Sequence, residues 1–275
     1  MESKIISFAN FKGGVGKTST TALVSYNLAE MGYKCLTIDF DAQANLTSLL
    51  LKTKANENDV ITIKTTLMSA LKDNKDLKDV IIKISNNLDL IPNAVDFSVY
   101  PRFLENEFTK EIDRVSFMKN KIEPLKSDYD FIFIDVPPTL SLLNDTAFYA
   151  CDDIVIVLQT QERSLAGAEV FLDYLQETLV SDFKAEVDVL GVLPVLSKKG
   201  ARVDEVVLSE AAKLFGDEYI FDNKISLMER VKRMDMVGIT NNKKDVHDRN
   251  VHLFFSKVAV ELIERLEREE NGYAE

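Results

Sequence analysis

The sequence predicts an α/β fold built on a mostly parallel, twisted sheet with helices on both faces. Short apolar runs without polar alternation are typical of strands buried on both faces, and they alternate along the 275-residue chain with longer segments of helical periodicity. Strands that alternate with helices are joined by right-handed crossovers into a parallel sheet. No segment has the composition of a linker between domains. We therefore expect one domain over residues 1–275.

The predicted elements follow one another in regular order. The strands are expected at residues 4–9, 34–39, 88–91, 131–135, 154–158 and 187–196. The helices are expected at residues 18–31, 96–125, 140–150, 165–179 and 203–215. A last amphipathic helix at about residues 251–269 should pack its apolar side on the body of the protein. The apolar residues of that side are Val258, Leu262, Ile263 and Leu266.

Composition excludes several classes of protein. Apolar residues make up 46% of the chain, which is enough for a substantial core and argues against disorder. The net charge of −12 argues against a protein that coats nucleic acid over its whole surface, although it allows a local basic patch. Two cysteines and two histidines are too few for a disulfide framework or a zinc site. No apolar run reaches the length of a membrane span, so we expect a cytoplasmic protein.

The segment after the first strand predicts a phosphate-binding loop. Residues 10–18 read Asn-Phe-Lys-Gly-Gly-Val-Gly-Lys-Thr and lie between a predicted strand and a predicted helix. Glycines let backbone amides converge on one anion, and the helix N-terminus adds its positive dipole end. In such loops the lysine reaches the β- and γ-phosphates and the hydroxyl binds Mg²⁺, roles that fall to Lys17 and Thr18. The predicted nucleotide-binding residues are Lys12, Gly13, Gly14, Val15, Gly16, Lys17, Thr18 and Ser19.

Carboxylates follow two of the predicted strands. Asp39 and Asp41 come at the end of the second strand, and Asp135 ends an apolar run. Ligands of open α/β sheets bind beside the carboxyl ends of the strands, so these acids should lie near the phosphate-binding loop. Asp135 is the candidate to hold Mg²⁺, directly or through water. For Asp39 and Asp41 the alternative is that they cap the helix that follows.

These motifs resemble those of the ParA/MinD family of P-loop ATPases. The loop has Phe11 where the general P-loop pattern has its first glycine, and it carries a second lysine, Lys12. That form of the loop, Lys-Gly-Gly-Val-Gly-Lys-Thr, is the deviant Walker A box of the family. Three further matches lie at residues 39–45 (apart from Ala42), at residues 135–139 with their two switch-segment prolines, and at residues 159–167.

The resemblance implies an ATPase that binds ATP and Mg²⁺ and forms a nucleotide-dependent sandwich homodimer. In that dimer Lys12 reaches the nucleotide of the partner subunit, much as an arginine finger does. Asp41 positions the attacking water, and hydrolysis is weak until the dimer closes correctly. The implied catalytic residues are therefore Lys12, Lys17 and Asp41, and the implied metal-site residues are Thr18, Asp135 and Asp39. Beyond Gly191 the resemblance is looser, and it identifies no contact to adenine.

A basic segment near the end of the chain predicts a surface for non-specific double-stranded DNA. Residues 224–244 hold six basic side chains against two acidic ones. Such a cluster can contact DNA phosphates, and its alternative is a solvated face that balances the acids. The resemblance supports Arg230, which falls at a family arginine. The six residues are Lys224, Arg230, Lys232, Arg233, Lys243 and Lys244, and a smaller cluster comprises Lys198, Lys199 and Arg202.

Within the family, the sequence favours the DNA-partitioning branch. Residues 256–275 carry three basic and six acidic side chains, which disfavours a MinD-like helix that inserts into an anionic membrane. We therefore expect a nucleoid-associated ATPase that segregates a plasmid or chromosome. A ParB-like centromere-binding partner should stimulate its hydrolysis. The alternatives are a cargo-positioning ATPase with the same DNA-bound cycle and a MinD-like membrane-associated regulator.

Overall fold

The computed structural model of the protein describes residues 2–55, 61–197, 202–226 and 228–272. Its strands are β1 (Lys4–Ala9), β2 (Cys35–Asp39), β3 (Ile82–Lys83), β4 (Leu88–Ile91), β5 (Phe131–Asp135), β6 (Asp153–Gln159), β7 (Asp188–Ser197) and β8 (Ile225–Ser226). They form an eight-stranded sheet in the order β3-β4-β2-β5-β1-β6-β7-β8. Only the pairing of β3 with β4 is antiparallel among these described strands. The predicted fold class is confirmed.

The helices cover both faces of this sheet. They are α1 (Lys17–Glu30), α2 (Asn45–Ala55), α3 (Leu67–Lys72), α4 (Tyr100–Glu107), α5 (Glu111–Ile122), α6 (Leu142–Ala150), α7 (Glu162–Tyr174), α8 (Arg202–Phe215), α9 (Glu229–Val237) and α10 (Val246–Glu270). A π-helical segment, Leu175–Asp182, continues α7. The elements α2, α3, α9, β3 and β8 were not predicted. Of these, α3, β3 and β8 have six residues or fewer, which is too few to establish a period.

The helix predicted over residues 96–125 is in fact two helices. Phe108 adopts an extended backbone conformation and ends α4, and its ring packs 5.3 Å from that of Phe117 on α5. Residues 95–99 form a 3₁₀ turn before α4, and Pro101 lies in the first turn of α4, where proline is well tolerated. The side chain of Phe108 gains a packed position that a continuous helix would deny it.

The core consists of two apolar layers, one on each face of the sheet. Successive residues of β1 point to opposite faces, so Ile5 belongs to one layer and Ile6 to the other, and both are fully buried. The same holds for the other central strands. Burial on both faces explains why these strands lack polar alternation in the sequence.

Helix α10 packs on α1, as predicted for the C-terminal amphipathic helix. Val258, Leu262 and Leu266 are buried, and Ile263 is partly buried. The helix begins earlier than expected, because the carboxylate of Asp245 accepts a 2.8 Å hydrogen bond from the amide of His247 and caps its N-terminus. No helix within the described ranges is both long and apolar enough to cross a membrane.

Candidate functional site

The predicted phosphate-binding loop joins the end of β1 to the start of α1. Gly14 and Gly16 have φ values of 73° and 90°, in the left-handed region that favours glycine. Gly16 is the N-cap of α1, and Lys17 is the first residue of the helix. The glycines thus allow a tight turn that places the N-terminus of α1 beside the carboxyl end of β1. Such a helix end binds anions.

A cavity of about 710 Å³ opens at this edge of the sheet. The loop forms one wall, Asp41 and Gln43 after β2 form another, and Val136 and Pro138 after β5 form a third. The rest of the lining combines the apolar side chains of Val195, Ile225, Met228, Val231 and Phe255 with the polar Lys52, Ser226, Lys232 and Asp235. Sequence reasoning identified no contacts for a base, whereas the structure places these apolar side chains in the same cavity as the loop.

Lys17 lies between the loop and the acids of the neighbouring strands. Its side chain is largely buried, and its Nζ donates a 3.2 Å hydrogen bond to the backbone oxygen of Lys12. Burial lowers the pKa of Lys17, and the carboxylates of Asp135 and Asp41 oppose this shift. A lysine in this position presents its charge to the cavity and lacks a close carboxylate partner that would neutralise it.

Asp135 is a buried acid that lies beside the Thr18 hydroxyl. It is 1% exposed, and neither of its oxygens accepts a well-formed hydrogen bond from the described residues. Burial raises its pKa to about 8, and the charge of Asp39 adds to the rise, while Thr18 and Lys17 oppose it. Buried polar atoms are normally hydrogen-bonded. The unsatisfied oxygens of Asp135, next to the Thr18 hydroxyl, therefore fit a site for a bound cation and its water shell.

Asp39 sits beside Asp135 in the sheet but is fully engaged by the backbone. The two acids are register partners on β2 and β5. The oxygens of Asp39 accept hydrogen bonds from the amides of Asp41 at 3.1 Å and Thr47 at 2.8 Å. Burial raises the pKa of Asp39 to about 6, and these hydrogen bonds limit the shift. In the structure Asp39 thus caps the start of α2, and its place in the metal shell stays a prediction.

Asp41 lines the cavity, as expected for an acid that acts on water. Its Oδ1 accepts a 2.9 Å hydrogen bond from the amide of Gln43, and its backbone oxygen accepts one from Asn93 Nδ2 at 3.3 Å. These two bonds fix the loop that follows β2. Asp41 is therefore held at the phosphate-binding end of the cavity with its carboxylate partly exposed.

The second lysine of the loop points elsewhere. Lys12 Nζ donates to Gln159 Oε1 at 3.2 Å, Gln161 Oε1 at 3.0 Å and Ser164 Oγ at 2.7 Å. These acceptors lie where β6 meets α7. The lysine is thus held on the outer side of the loop, away from the residues that line the cavity. The structure brings Lys17, Thr18, Asp41 and Asp135 together and separates Lys12 from them.

The neighbouring Phe11 is also anchored on α7. Its ring packs edge-on against Phe171 at 4.8 Å and against Tyr174 at 5.2 Å between ring centroids. The position that is glycine in the general P-loop pattern is therefore filled by a ring that contacts another helix. Both residues that distinguish this loop, Phe11 and Lys12, interact with the β6–α7 region.

Arg230, the residue favoured for DNA contact, is engaged by acids of its own chain. Its guanidinium lies 2.5 Å from Asp248 and 3.2 Å from Asp245, and it also donates to the Thr240 hydroxyl. Burial alone would raise the pKa of Asp248, but hydrogen bonds from Arg230, Asn242 and Thr240 lower it. Arg230 therefore neutralises a fully buried acid and ties α9 to the start of α10.

The other basic residues of the segment behave differently from Arg230. Lys232 lines the cavity and pairs with Glu229 at 2.8 Å. Four are exposed and make no ion pair with the described residues, namely Lys224, Arg233, Lys243 and Lys244. The side chains of the second cluster, Lys198, Lys199 and Arg202, lie outside the described residues.

The structure adds two basic residues that sequence reasoning missed. Arg249 and Lys257 lie on the exposed side of α10, close in sequence to the exposed Leu253 and Phe254. Their spacing of eight residues places them on one side of the helix, which is the signal that could have found them. Glu261, by contrast, is buried and holds the amides of residues 222 and 223. Glu261 also pairs with Arg265 at 3.0 Å, so this acid and this base of the tail are both engaged inside the protein.

Comparison with known proteins agrees with the loop and the fold. The family model AAA_31, described as an AAA domain, matches residues 3–188. The sporulation initiation inhibitor protein Soj of Bacillus subtilis is 34% identical over 219 residues, covering 78% of this chain and 81% of that protein. The chromosome-partitioning ATPase Soj of Treponema pallidum is 27% identical over 263 residues, covering 95% and 98%.

Among solved structures, an ATP complex of Cyanothece McdA superposes with a TM-score of 0.80 at 22% identity, covering 97% of each chain. A similarity at this identity establishes a shared fold. The fold and the loop thus define a P-loop nucleotide hydrolase. The family model and the relatives show further that the chain belongs to the ParA/MinD family and is a ParA-type ATPase.

The family implies ATP and Mg²⁺ as ligands, and the residues present fit both. The glycine turn before α1 leaves room for phosphates close to the backbone. Lys17 supplies a buried positive charge at the same point, and the unsatisfied oxygens of Asp135 next to Thr18 suit a hard cation. Thr18 and Asp135 are therefore the residues that would hold the metal.

Proposed function

We propose that this protein is a DNA-partitioning ATPase that segregates a plasmid or chromosome through an ATP-dependent cycle of dimer formation and DNA binding. The observation that carries the proposal is the position of Lys12. Its ammonium lies outside the cavity of its own subunit, next to Gln161 at an exposed position. Its acceptors are neutral, so its charge can act on a nucleotide held by a second copy of the chain once Nζ leaves them.

Within one subunit, the residues of the cavity have separate roles in ATP hydrolysis. Lys17 and the amides at the start of α1 bind the β- and γ-phosphates, and Thr18 and Asp135 hold Mg²⁺. Bound Mg²⁺ would neutralise negative charge on the phosphate oxygens. Asp41, held by Gln43 and Asn93, orients the attacking water. Lys12 of the partner subunit adds the last positive charge, so turnover is slow in a single subunit.

The DNA surface in this proposal differs from the segment that the sequence suggested. It consists of exposed basic residues of the α9–α10 region without Arg230. Net charge −12 makes the protein as a whole repel DNA, so binding depends on these few phosphate contacts. A dimer carries two such surfaces, and binding therefore follows ATP. The surface residues are Lys224, Arg233, Lys243, Lys244, Arg249 and Lys257.

The relative named for chromosome partitioning supports the biological role. The resemblance to the ParA/MinD family is the ground for proposing a ParB-like centromere-binding partner that stimulates hydrolysis. Association with the nucleoid then follows from binding to bulk DNA. The cargo that is moved depends on that partner. Stimulation of turnover by the product of an adjacent DNA-binding gene, with DNA present, is the expected sign of a partition system.

The test measures duplex binding with a non-hydrolysable ATP analogue and with ADP at two salt concentrations. The parent should bind only with the analogue, and affinity should fall by roughly 0.9 in log–log slope per phosphate contact. The triple variant Arg233→Glu, Lys243→Glu, Lys244→Glu should lose binding and still dimerise. A matched control reverses three exposed lysines elsewhere, Lys64, Lys72 and Lys110, which tests total charge. Equal loss in both variants would reject the surface, and absence of analogue-dependent binding in the parent would reject the proposed cycle.

A further inference from the structure

The Lys12 ammonium occupies a complete hydrogen-bonding site within its own subunit. An ammonium has three hydrogens to donate, and three acceptors lie within 3.2 Å of Nζ. Ser164 is fully buried in the first turns of α7, and its amide donates to the backbone oxygen of Gln161 at 2.8 Å. The site is therefore built on backbone that is itself fixed.

The chemistry of this site distinguishes it from an ion pair. All three acceptors are neutral, two side-chain amides and one hydroxyl, so none of them supplies a counter-charge to the lysine. Hydrogen bonds to neutral oxygens hold an ammonium less strongly than a phosphate does, because charge–charge attraction exceeds charge–dipole attraction. A nucleotide phosphate can therefore displace them, whereas a carboxylate in their place would compete with it.

We infer that Gln161 and Ser164, together with Gln159, hold Lys12 in a resting position in the single subunit, and that dimer formation must break these hydrogen bonds. The inference rests on the proposed function, in which Lys12 acts on the partner's nucleotide. Gln161 and Ser164 are positioning residues, since they act through Lys12. The dimer forms only when the attraction of the partner's phosphates exceeds that of the resting site, which favours ATP over ADP.

The first experiment measures the dimer dissociation constant by sedimentation velocity with a non-hydrolysable ATP analogue. Ser164→Ala and Gln161→Ala each remove one acceptor and should tighten the dimer at least about tenfold, because the lost bond exists only in the resting state of each subunit. Affinity for ADP should not change. The matched controls are Ser25→Ala, a buried serine that bonds the Ala22 carbonyl, and Gln176→Ala, an exposed glutamine close to the end of α7.

The second experiment reads the resting site without any dimer. With ADP bound, the rate of Lys12 acylation by a small amine-reactive reagent is followed by mass spectrometry. The rate should rise several-fold in Ser164→Ala and Gln161→Ala and stay at the parental value in both controls. A purely structural role of Ser164 would not change the reactivity of this one amine relative to the other lysines.

The outcomes separate the two proposals. A parent that stays monomeric with the analogue rejects the proposed function, and the inference falls with it. If the parent dimerises but the variants dimerise with equal or lower affinity, the inference alone is overturned. Equal affinity would mean that Gln161 and Ser164 do not affect the dimer, and lower affinity would mean that they stabilise it. An unchanged acylation rate in both variants overturns the resting position directly.

Discussion

The phosphate-binding edge and the α9–α10 edge each contain a buried carboxyl group, but the surroundings of the two groups differ. At the first edge the oxygens of Asp135 accept no well-formed hydrogen bond from the described residues. At the second, Asp248 is equally buried and accepts hydrogen bonds from Arg230, Thr240 and the amide of Asn242. A buried carboxyl group whose oxygens are left unsatisfied indicates the place of a ligand, whereas one that is fully hydrogen-bonded indicates a structural role.

The pKa values of the two acids express the same difference. Burial and the neighbouring Asp39 raise the pKa of Asp135 to about 8. Burial also acts on Asp248, but hydrogen bonds from Arg230 and its neighbours bring its pKa below the usual value. Asp135 forms no ion pair with the described residues, whereas Asp248 is paired with Arg230. The predictions below test this contrast.

The largest effect is expected from Lys17→Ala. This change removes the buried positive charge over the β- and γ-phosphates, which contributes on the order of 4 kcal/mol to the transition state and corresponds to about a thousandfold in kcat/KM. The fold should be retained, since Lys17 makes one hydrogen bond, to the oxygen of Lys12. Steady-state hydrolysis and circular dichroism measure the two properties. Parental turnover in this variant would reject the assignment of the phosphate-binding loop.

Asp41→Ala should separate binding from chemistry. ATP and Mg²⁺ should still bind, and hydrolysis should fall at least about a hundredfold, because the water is no longer oriented. The dimer should then persist on DNA with ATP itself, which sizing by light scattering would detect. Asp39→Asn is the informative comparison, since its main cost should be to the start of α2. A monomer that hydrolyses at the parental rate would move the catalytic role away from Asp41.

Arg230→Glu should destabilise the fold by about 2–4 kcal/mol, because it leaves Asp248 buried beside a second negative charge. The measurement is the free energy of unfolding in urea. Arg233→Glu, on the same helix but exposed, should change it by less than about 0.5 kcal/mol. If both variants were equally stable, the contrast between structural and free basic residues would be lost, and Arg230 would return as a candidate for DNA contact.

The smallest effect is the pH dependence that Asp135 confers on the nucleotide-free protein. Its folded pKa of about 8 lies above that of the unfolded chain, so the folded state holds a proton that the unfolded state releases. The free energy of unfolding should therefore fall as pH rises from about 4 to about 8. In Asp135→Asn this fall should be shallower, by roughly 2 kcal/mol between pH 6 and 8. Urea titrations in chelator would measure it, and a steeper fall in the variant would contradict the buried, unpaired state.

Much of the fold could be predicted because its signals are local. Uninterrupted apolar runs indicated the central strands, and the glycines at residues 14 and 16 indicated the loop, since each reflects a requirement of its own segment. The break at Phe108 depended on packing against Phe117, which no local pattern records. Tertiary contacts override local propensity in such places.

The candidate site was predictable in its composition but not in the division of roles. Asp39 and Asp135 both end buried strands. They differ because Asp39 accepts hydrogen bonds from the amides of Asp41 and Thr47, which gives Asp39 a structural role. In the sequence Arg230 cannot be distinguished from its basic neighbours, because its partner Asp248 lies 18 residues further along the chain. The resting contacts of Lys12 join residues about 150 positions apart, which the sequence does not reveal.

The ring of Phe11 has a consequence for how this loop can evolve. Replacing it with the glycine of the general P-loop pattern would remove the contacts with Phe171 and Tyr174, at a cost of about 2–4 kcal/mol. A single reversion would therefore leave a gap beside α7 without restoring an ordinary loop. Compensating changes would have to arise in a helix more than a hundred residues away. We therefore expect Phe11 and Lys12 to be retained together with the residues of α7 that they contact, because replacing one of them alone would lose these contacts.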